Sequence, residues 1–176
     1  MKIALLEKSF EQVQPEAIAF SASFYETLFQ ETPELKSLFE KIDQKAQEKK
    51  LIFSLAAIIE NLRNPEVLGP ALKSLGARHL QAGTLKAHYP LVGQALLKTL
   101  AQYLDKDWTP ELSAAWTEAY ETIAKIMLEG TENPEQHLEP ELTFYDWVDL
   151  YGESNPTVHR AIASLTDFHY SNRSAS

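Results

Sequence analysis

The apolar residues of this 176-residue chain recur at helical spacing almost from end to end. No stretch alternates apolar and polar residues as a half-buried strand must, and no Asn-Gly or Asp-Gly pair marks a hairpin. The reading is therefore all-α. A first helix covers Ile3 to Gln14, and Pro15 opens a second with Ala19, Phe20, Phe24, Leu28 and Phe29 along one side. Pro33 opens a short third piece to Phe39. Asp43 caps a long fourth helix through about Arg63, whose apolar side carries Leu51, Leu55, Ile58, Ile59 and Leu62. Asn64-Pro65 ends that helix and starts the fifth, which runs to Gln81 and stops at Gly83. The sixth surrounds Val92, Ala95, Leu96, Leu100 and Tyr103, with Pro90 near its first turn, because an interior turn needs the donor that proline lacks. Thr109-Pro110, a cap and a first-turn proline, opens the seventh, to about Glu129. Most of the six glycines read as stops between periodic segments.

Composition shifts after Gly130. Residues 130–136 read as a linker, and Phe144, Tyr145, Trp147, Val148 and Leu150 follow as a dense apolar cluster. Such a cluster left in water would make an exposed patch. It is expected to pack on its own domain or on a second copy of the chain, as a homodimer. Asn155-Pro156 begins a last helix to about Phe168, and the serine-rich end reads as disordered. The division is thus 1–130 for the main domain and 131–176 for an extension.

Charge and composition exclude several functions. The formal net charge is −9 with no basic run, against the basic face that a phosphate backbone requires. Nucleic acid is not an expected partner. The chain has no cysteine, so disulfides, thiolate metal sites and cysteine nucleophiles are out. The start meets charge too soon for a signal-peptide core, and no run is long enough to span a bilayer. The expected location is the cytoplasm, without a membrane partner.

The most informative stretch is Leu75-Gly76-Ala77-Arg78-His79-Leu80-Gln81-Ala82-Gly83, followed by Tyr89-Pro90-Leu91-Val92-Gly93-Gln94-Ala95-Leu96-Leu97. A second runs from Ser23-Phe24-Tyr25-Glu26-Thr27-Leu28-Phe29 through Pro33-Glu34-Leu35-Lys36-Ser37-Leu38-Phe39, and a third is Gln47-Glu48-Lys49-Lys50-Leu51. In this order and near this spacing they resemble globins, especially bacterial single-domain globins and the haem domains of flavohaemoglobins. The resemblance covers residues 1–130 and implies a globin fold, helices of unequal length packed at steep angles around a pocket.

What the resemblance implies can be taken residue by residue. His79 ligates the iron of haem b, iron protoporphyrin IX; an isolated helical histidine would otherwise read as a surface or capping residue. One such imidazole leaves the opposite face of the iron open. Tyr25 falls at the family's distal tyrosine and Gln47 at the distal position usually held by histidine or glutamine. Both are expected to donate to a bound gas, and they are the residues carried over as catalytic. Gln47 and Leu51 share a helical face, with Leu51 restricting the space above the iron. Phe39 matches the aromatic residue that lies against the haem. Lys50 is within reach of a propionate, although a solvated lysine is the plainer reading. Arg78 and Val92, in the matched stretches, are carried over as haem contacts. For Tyr25, Leu51 and Phe39 ordinary core packing is the competing reading, and for Gln47 a solvated helix position.

Tyr89 matches a flavohaemoglobin tyrosine that works with a glutamate on the last globin helix to make the proximal histidine more anionic. Here the aligned position is Asn133, and Glu129 and Glu132 are out of register. His88, His137, His159 and His169 lack comparable flanks and read as surface or packing residues. Flavohaemoglobins also continue into a reductase, whereas no Gly-rich dinucleotide fingerprint follows residue 130.

The functional expectation is reversible oxygen binding, with carbon monoxide and nitric oxide as further diatomic ligands. Conversion of nitric oxide to nitrate would take electrons from a separate reductase. The alternative is a haem-based gas or redox sensor signalling through the extension. A haemless all-α interaction module is the third reading, against which His79 stands.

Overall fold

The computed structural model describes residues 1–138. Expectations placed on residues 139–176, namely the aromatic cluster, the last helix, the disordered end, His159, His169 and any signalling or self-association through the extension, lie outside the described residues.

Six α-helices and no strand make up the described residues. They are α1 (Ile3–Val13), α2 (Ala17–Glu31), α3 (Gln44–Asn61), α4 (Pro65–Gln81), α5 (His88–Leu104) and α6 (Pro110–Glu132). The 3₁₀ segment Pro33–Phe39 is the short piece between α2 and α3. The two cap expectations hold in detail. The Ala46 amide donates to Asp43 Oδ1 at 2.7 Å, and the Leu112 amide donates to Thr109 Oγ1 at 3.2 Å. Each cap satisfies one of the amides that a helix start leaves unpaired, worth about 1 kcal/mol. Pro33, Pro65 and Pro110 stand at helix starts, where a missing N–H costs nothing. Pro70 lies inside α4, in its second turn, which the sequence reading did not foresee.

The helices bury two apolar clusters. One joins Leu6, Phe10 and Val13 of α1 to Phe20, Phe24 and Leu28 of α2, Ile52 and Ile59 of α3, Leu100 of α5 and Trp116 of α6. Its polar groups are matched: Trp116 Nε1 donates to Ser9 Oγ at 3.0 Å, and that hydroxyl donates to the Leu6 carbonyl. The smaller cluster holds Ile58 of α3, Leu68, Leu72 and Leu75 of α4, Tyr89 of α5 and Met127 of α6.

The glycines correct the sequence reading. Among the described glycines only Gly83 acts as the expected stop, with φ at +90° just past α4. Gly69, Gly76, Gly93 and Gly130 all lie within helices. Gly76 lies on the backbone of Met127, and Gly130 lies on the backbone of Lys73; a Cβ at either would overlap a main-chain carbonyl. α4 and α6 therefore cross with main chain against main chain at two glycines. For that reason α6 does not end at Glu129 but runs through Gly130 to Glu132, and Pro134–Gln136 adds a 3₁₀ turn where a linker was expected. This crossing fixes the end of α4 that carries His79.

Candidate functional site

A cavity of about 380 Å³ draws its wall from both clusters: Leu28, Leu35, Ile59 and Leu96 from the larger, Ile58, Leu75 and Met127 from the smaller. Its size is in the range of about 300–1,000 Å³ usual for small-molecule and cofactor sites, and so is its mostly apolar wall with a few polar groups.

On the α4 side stand Arg78 and His79. His79 Nδ1 lies 2.8 Å from the Leu75 carbonyl one turn back. A carbonyl can only accept, so Nδ1 carries the proton and Nε2 keeps its lone pair. Burial pushes the imidazole below its ordinary pKa, with the Leu75 hydrogen bond opposing. Burial keeps the imidazole neutral and the hydrogen bond orients it, the form that ligates a metal.

The α2 and α3 walls supply the other polar groups. Tyr25 is buried in α2 and sits edge-on to Phe24 and Phe39, with ring centroids 5.0 and 5.6 Å away. Gln47 lies in the first turn of α3 and Lys50 and Leu51 in the next, and all three line the cavity. Phe39 closes the 3₁₀ segment against the same space. From α5 come Tyr89 and Val92. Thus all nine residues singled out in the sequence — Tyr25, Phe39, Gln47, Lys50, Leu51, Arg78, His79, Tyr89 and Val92 — line one cavity.

Among the wall residues not named as site residues from the sequence are His88 and Tyr120. His88, read from sequence as surface or packing, lines the cavity, and its Nδ1 accepts the Leu85 amide at 3.1 Å. Tyr120 reaches the wall from α6, where Trp116, Ile123 and Met127 share its face. That spacing was available in the sequence as an apolar stripe; for His88 no local signal existed.

The Tyr89 hydroxyl is buried and has no hydrogen-bond partner among the described residues. Burial also raises its phenol pKa, so it stays protonated. Glu129 pairs instead with Lys73 at 3.1 Å, and Asn133 lies just past α6. Neither lines the cavity.

The donor set limits what can bind. No group of three or more His, Asp or Glu side chains able to hold a metal ion occurs among the described residues. A single imidazole holds a metal only if the remaining ligands arrive with it, as a metallated macrocycle brings them. The apolar wall suits such a flat group, and Arg78 Nε, buried without a partner, suits its carboxylate. The residues present therefore fit a haem. No helix among the described residues is long and apolar enough to cross a membrane.

Comparison with known proteins places these features. The globin family model matches residues 22–127. A flavohemoprotein of Rhodopirellula baltica is 32% identical over 138 residues, covering 76% of this chain and 34% of that protein. The chain thus spans about a third of the length of such relatives. Among solved structures, an engineered carbene transferase, a nitric oxide dioxygenase candidate from Rhodothermus marinus, is 32% identical with a TM-score of 0.68. That match covers 77% of this chain and 94% of the other. A bacterial globin from Campylobacter jejuni shares the fold, with a TM-score of 0.67 at 24% identity, over 76% of this chain and 96% of the other.

Proposed function

The chain belongs to the globin family, and from that premise we propose that it is a haem protein that binds diatomic gases, oxygen first, and converts nitric oxide to nitrate when electrons are supplied. The observation that carries this reading is a neutral His79, tied at Nδ1 to Leu75, on the wall of a cavity that also holds Tyr25 and Gln47. Haem b, iron protoporphyrin IX, supplies the redox chemistry and the gas-binding metal.

The protein's own groups do the rest. His79 Nε2 ligates, and the Leu75 carbonyl fixes its ring and raises its basicity through the Nδ1 proton. The Tyr25 phenol and the Gln47 amide donate to the gas, which favours a ligand that gathers negative charge. Leu51 and Phe39 exclude water from that side. Arg78, with Lys50, holds the carboxylates of the cofactor. Tyr89 and Val92 would meet it from the α5 wall. With no carboxylate at the Tyr89 hydroxyl among the described residues, the imidazole takes no added negative character from them on that side.

The R. baltica relative is a flavohemoprotein of about three times the matched length. Nitric oxide turnover needs an electron donor, and we propose a reductase partner in the cytoplasm for that role. Residues 1–130 would carry the haem chemistry, and 131–176 would not be needed for it.

The deciding experiment is the absorption spectrum of the purified protein, reduced and then exposed to oxygen, carbon monoxide and nitric oxide. A Soret band that shifts with each gas is expected, with nitrate formed when a flavin reductase and its nicotinamide donor are added. Absence of a Soret band after haem addition overturns the reading.

A further inference from the structure

Of the residues that line the cavity, Ile42, Lys50 and Ala82 are exposed. Its mouth therefore lies between residues 36–50, the 3₁₀ segment with the start of α3, and residues 78–88, the end of α4 with the corner after it. The two segments meet where Gly83 approaches the Leu38 side chain. Their charge is unlike that of the rest of the protein. Together they carry seven Lys and Arg against three Asp and Glu, in a chain whose totals are 16 and 25. Two of the three acids are engaged locally, Asp43 by the Ala46 amide and Glu48 by Gln44. Lys2, Arg63, Lys73 and Lys98, away from the mouth, each pair with a carboxylate. Lys36, Lys41 and Lys86 are exposed and form no ion pair among the described residues. Of the five large apolar side chains exposed among the described residues, Ile42, Leu80 and Leu85 stand on these same two segments. The rim is thus basic with apolar spots, on a protein that is acidic overall.

We propose that this rim is the docking surface of the chain's own segment 139–153, whose carboxylates meet the unpaired lysines and whose aromatic side chains cover the mouth. In sequence the segment is the rim's complement. It carries Glu139, Glu141, Asp146, Asp149 and Glu153 with no Lys or Arg, interleaved with Phe144, Tyr145, Trp147, Val148 and Leu150. An apolar cluster of this kind left in water marks an interaction site, and Ile42, Leu80 and Leu85 offer it apolar area.

Position favours a contact within one chain. Gly130 lies on Lys73, and Pro134–Gln136 also meets α4. The chain therefore leaves the described residues beside the helix that carries His79. From Lys73 to His79 that helix rises only about 9 Å, and the segment can span up to about 50 Å. Such a tether holds the segment at an effective concentration on the order of millimolar, which a second copy in dilute solution does not match. The contact depends on the charge and apolar area of the rim, not on what fills the cavity. It goes beyond the haem reading, and ligation by His79 does not need it.

The test uses the full chain. Carbodiimide cross-linking, which adds no spacer, is applied to an equal mixture of unlabelled and nitrogen-15-labelled protein. It is expected to join Lys36, Lys41 or Lys86 to carboxylates of residues 139–153, with the same isotope at both ends of each link, and to weaken in 1 M salt. Links of mixed isotope would assign the contact to a second copy, and links only to lysines away from the mouth, such as Lys2 or Lys125, would place it elsewhere; either result, or no link, overturns the proposal. Lys36→Glu, Lys41→Glu and Lys86→Glu combined alter three exposed positions where folding is not at stake. Chymotrypsin cleavage at Phe144, Tyr145 and Trp147 is expected to speed by roughly tenfold, the size that a few solvated charge pairs support. Glu141→Lys, Asp146→Lys and Asp149→Lys should have the same effect alone, and the two sets together should restore slow cleavage. Cleavage that ignores both sets, or that the combined set does not slow again, would overturn the docking. A chain that shows the links and takes up no haem overturns the function proposed above and leaves the docking in place, whereas a haem-loaded chain without the links does the reverse.

Discussion

The hydroxyl of Tyr120 donates to the backbone carbonyl of Tyr89 at 2.6 Å, which ties the middle of α6 to the first turn of α5. Burial first, and the neighbouring Tyr89 phenol second, hold the Tyr120 phenol far above its ordinary pKa, so it remains a donor. Tyr120→Phe keeps the ring that covers Gly93 and removes the hydroxyl that makes this bond. The expected cost is about 1 kcal/mol, read as a lower urea midpoint with an unchanged denaturant slope.

His79→Ala removes the nitrogen proposed to ligate. Haem affinity should collapse, and the melting temperature should fall because a ligand that binds only the folded chain stabilises it by mass action. Added imidazole should restore part of the Soret band. A normal spectrum without imidazole would exclude His79 as the ligand.

Tyr25→Phe should speed oxygen dissociation and autoxidation and disturb carbon monoxide binding much less. Hydrogen bonds to a charged acceptor are worth roughly 1.5–3 kcal/mol, which corresponds to about tenfold or more in the off-rate. Gln47→Leu should act in the same direction and non-additively with it, because both address one ligand. Stopped-flow oxygen release on the two single variants and the double variant measures this.

Three glycines of α4 and α6 should respond in opposite directions to alanine. At Gly76 and Gly130 the added methyl meets a main-chain carbonyl of the other helix, which cannot move aside as a side chain can. A loss of at least about 1–3 kcal/mol is expected at each. At Gly69 a Cβ meets nothing within 4 Å. There alanine should stabilise by about 0.4–1 kcal/mol, by restricting the unfolded chain. Thermal melts of the three variants decide it.

Arg63 holds Glu7 with two bonds, Nε to Oε1 at 3.0 Å and Nη2 to Oε2 at 2.8 Å, clipping α1 to the turn after α3. The Arg63 hydrogen bond lowers the Glu7 pKa, slightly opposed by burial. A carboxylate whose folded pKa is lowered contributes stability above its unfolded pKa and loses it as pH falls through the folded value. The stability difference between the unsubstituted protein and Glu7→Gln should therefore be present at neutral pH and vanish in acid. It should also shrink at 1 M salt, since the pair is largely solvated. Urea titrations at several pH values test both statements.

What the sequence disclosed and what it withheld follow from the range of the forces involved. Asp43 and Thr109 were readable as caps because a cap is settled by neighbours within one turn. The helical rhythm of α2 and α3 was readable because burial of one face imposes it. The nine site residues were named through resemblance rather than spacing, and the cavity that joins them is made by five helices meeting. Gly130 was misread as the start of a linker because a glycine that admits a neighbouring helix looks, in sequence, like a glycine that ends one. The neighbour responsible is Lys73, far along the chain. His88 was passed over for the same reason: nothing beside it in sequence says which way the corner after α4 turns it.

The crossing of α4 and α6 also has a mechanical meaning. Side chains packed between helices act as padding, since they can change rotamer and absorb a small slip. Main chain on main chain has no such compliance. α4 cannot slide along α6 without a Lys73 or Met127 carbonyl riding over a glycine Cα. His79 lies one turn beyond Gly76. The height of its imidazole along the α4 axis is therefore set by a contact that has no rotamer to yield.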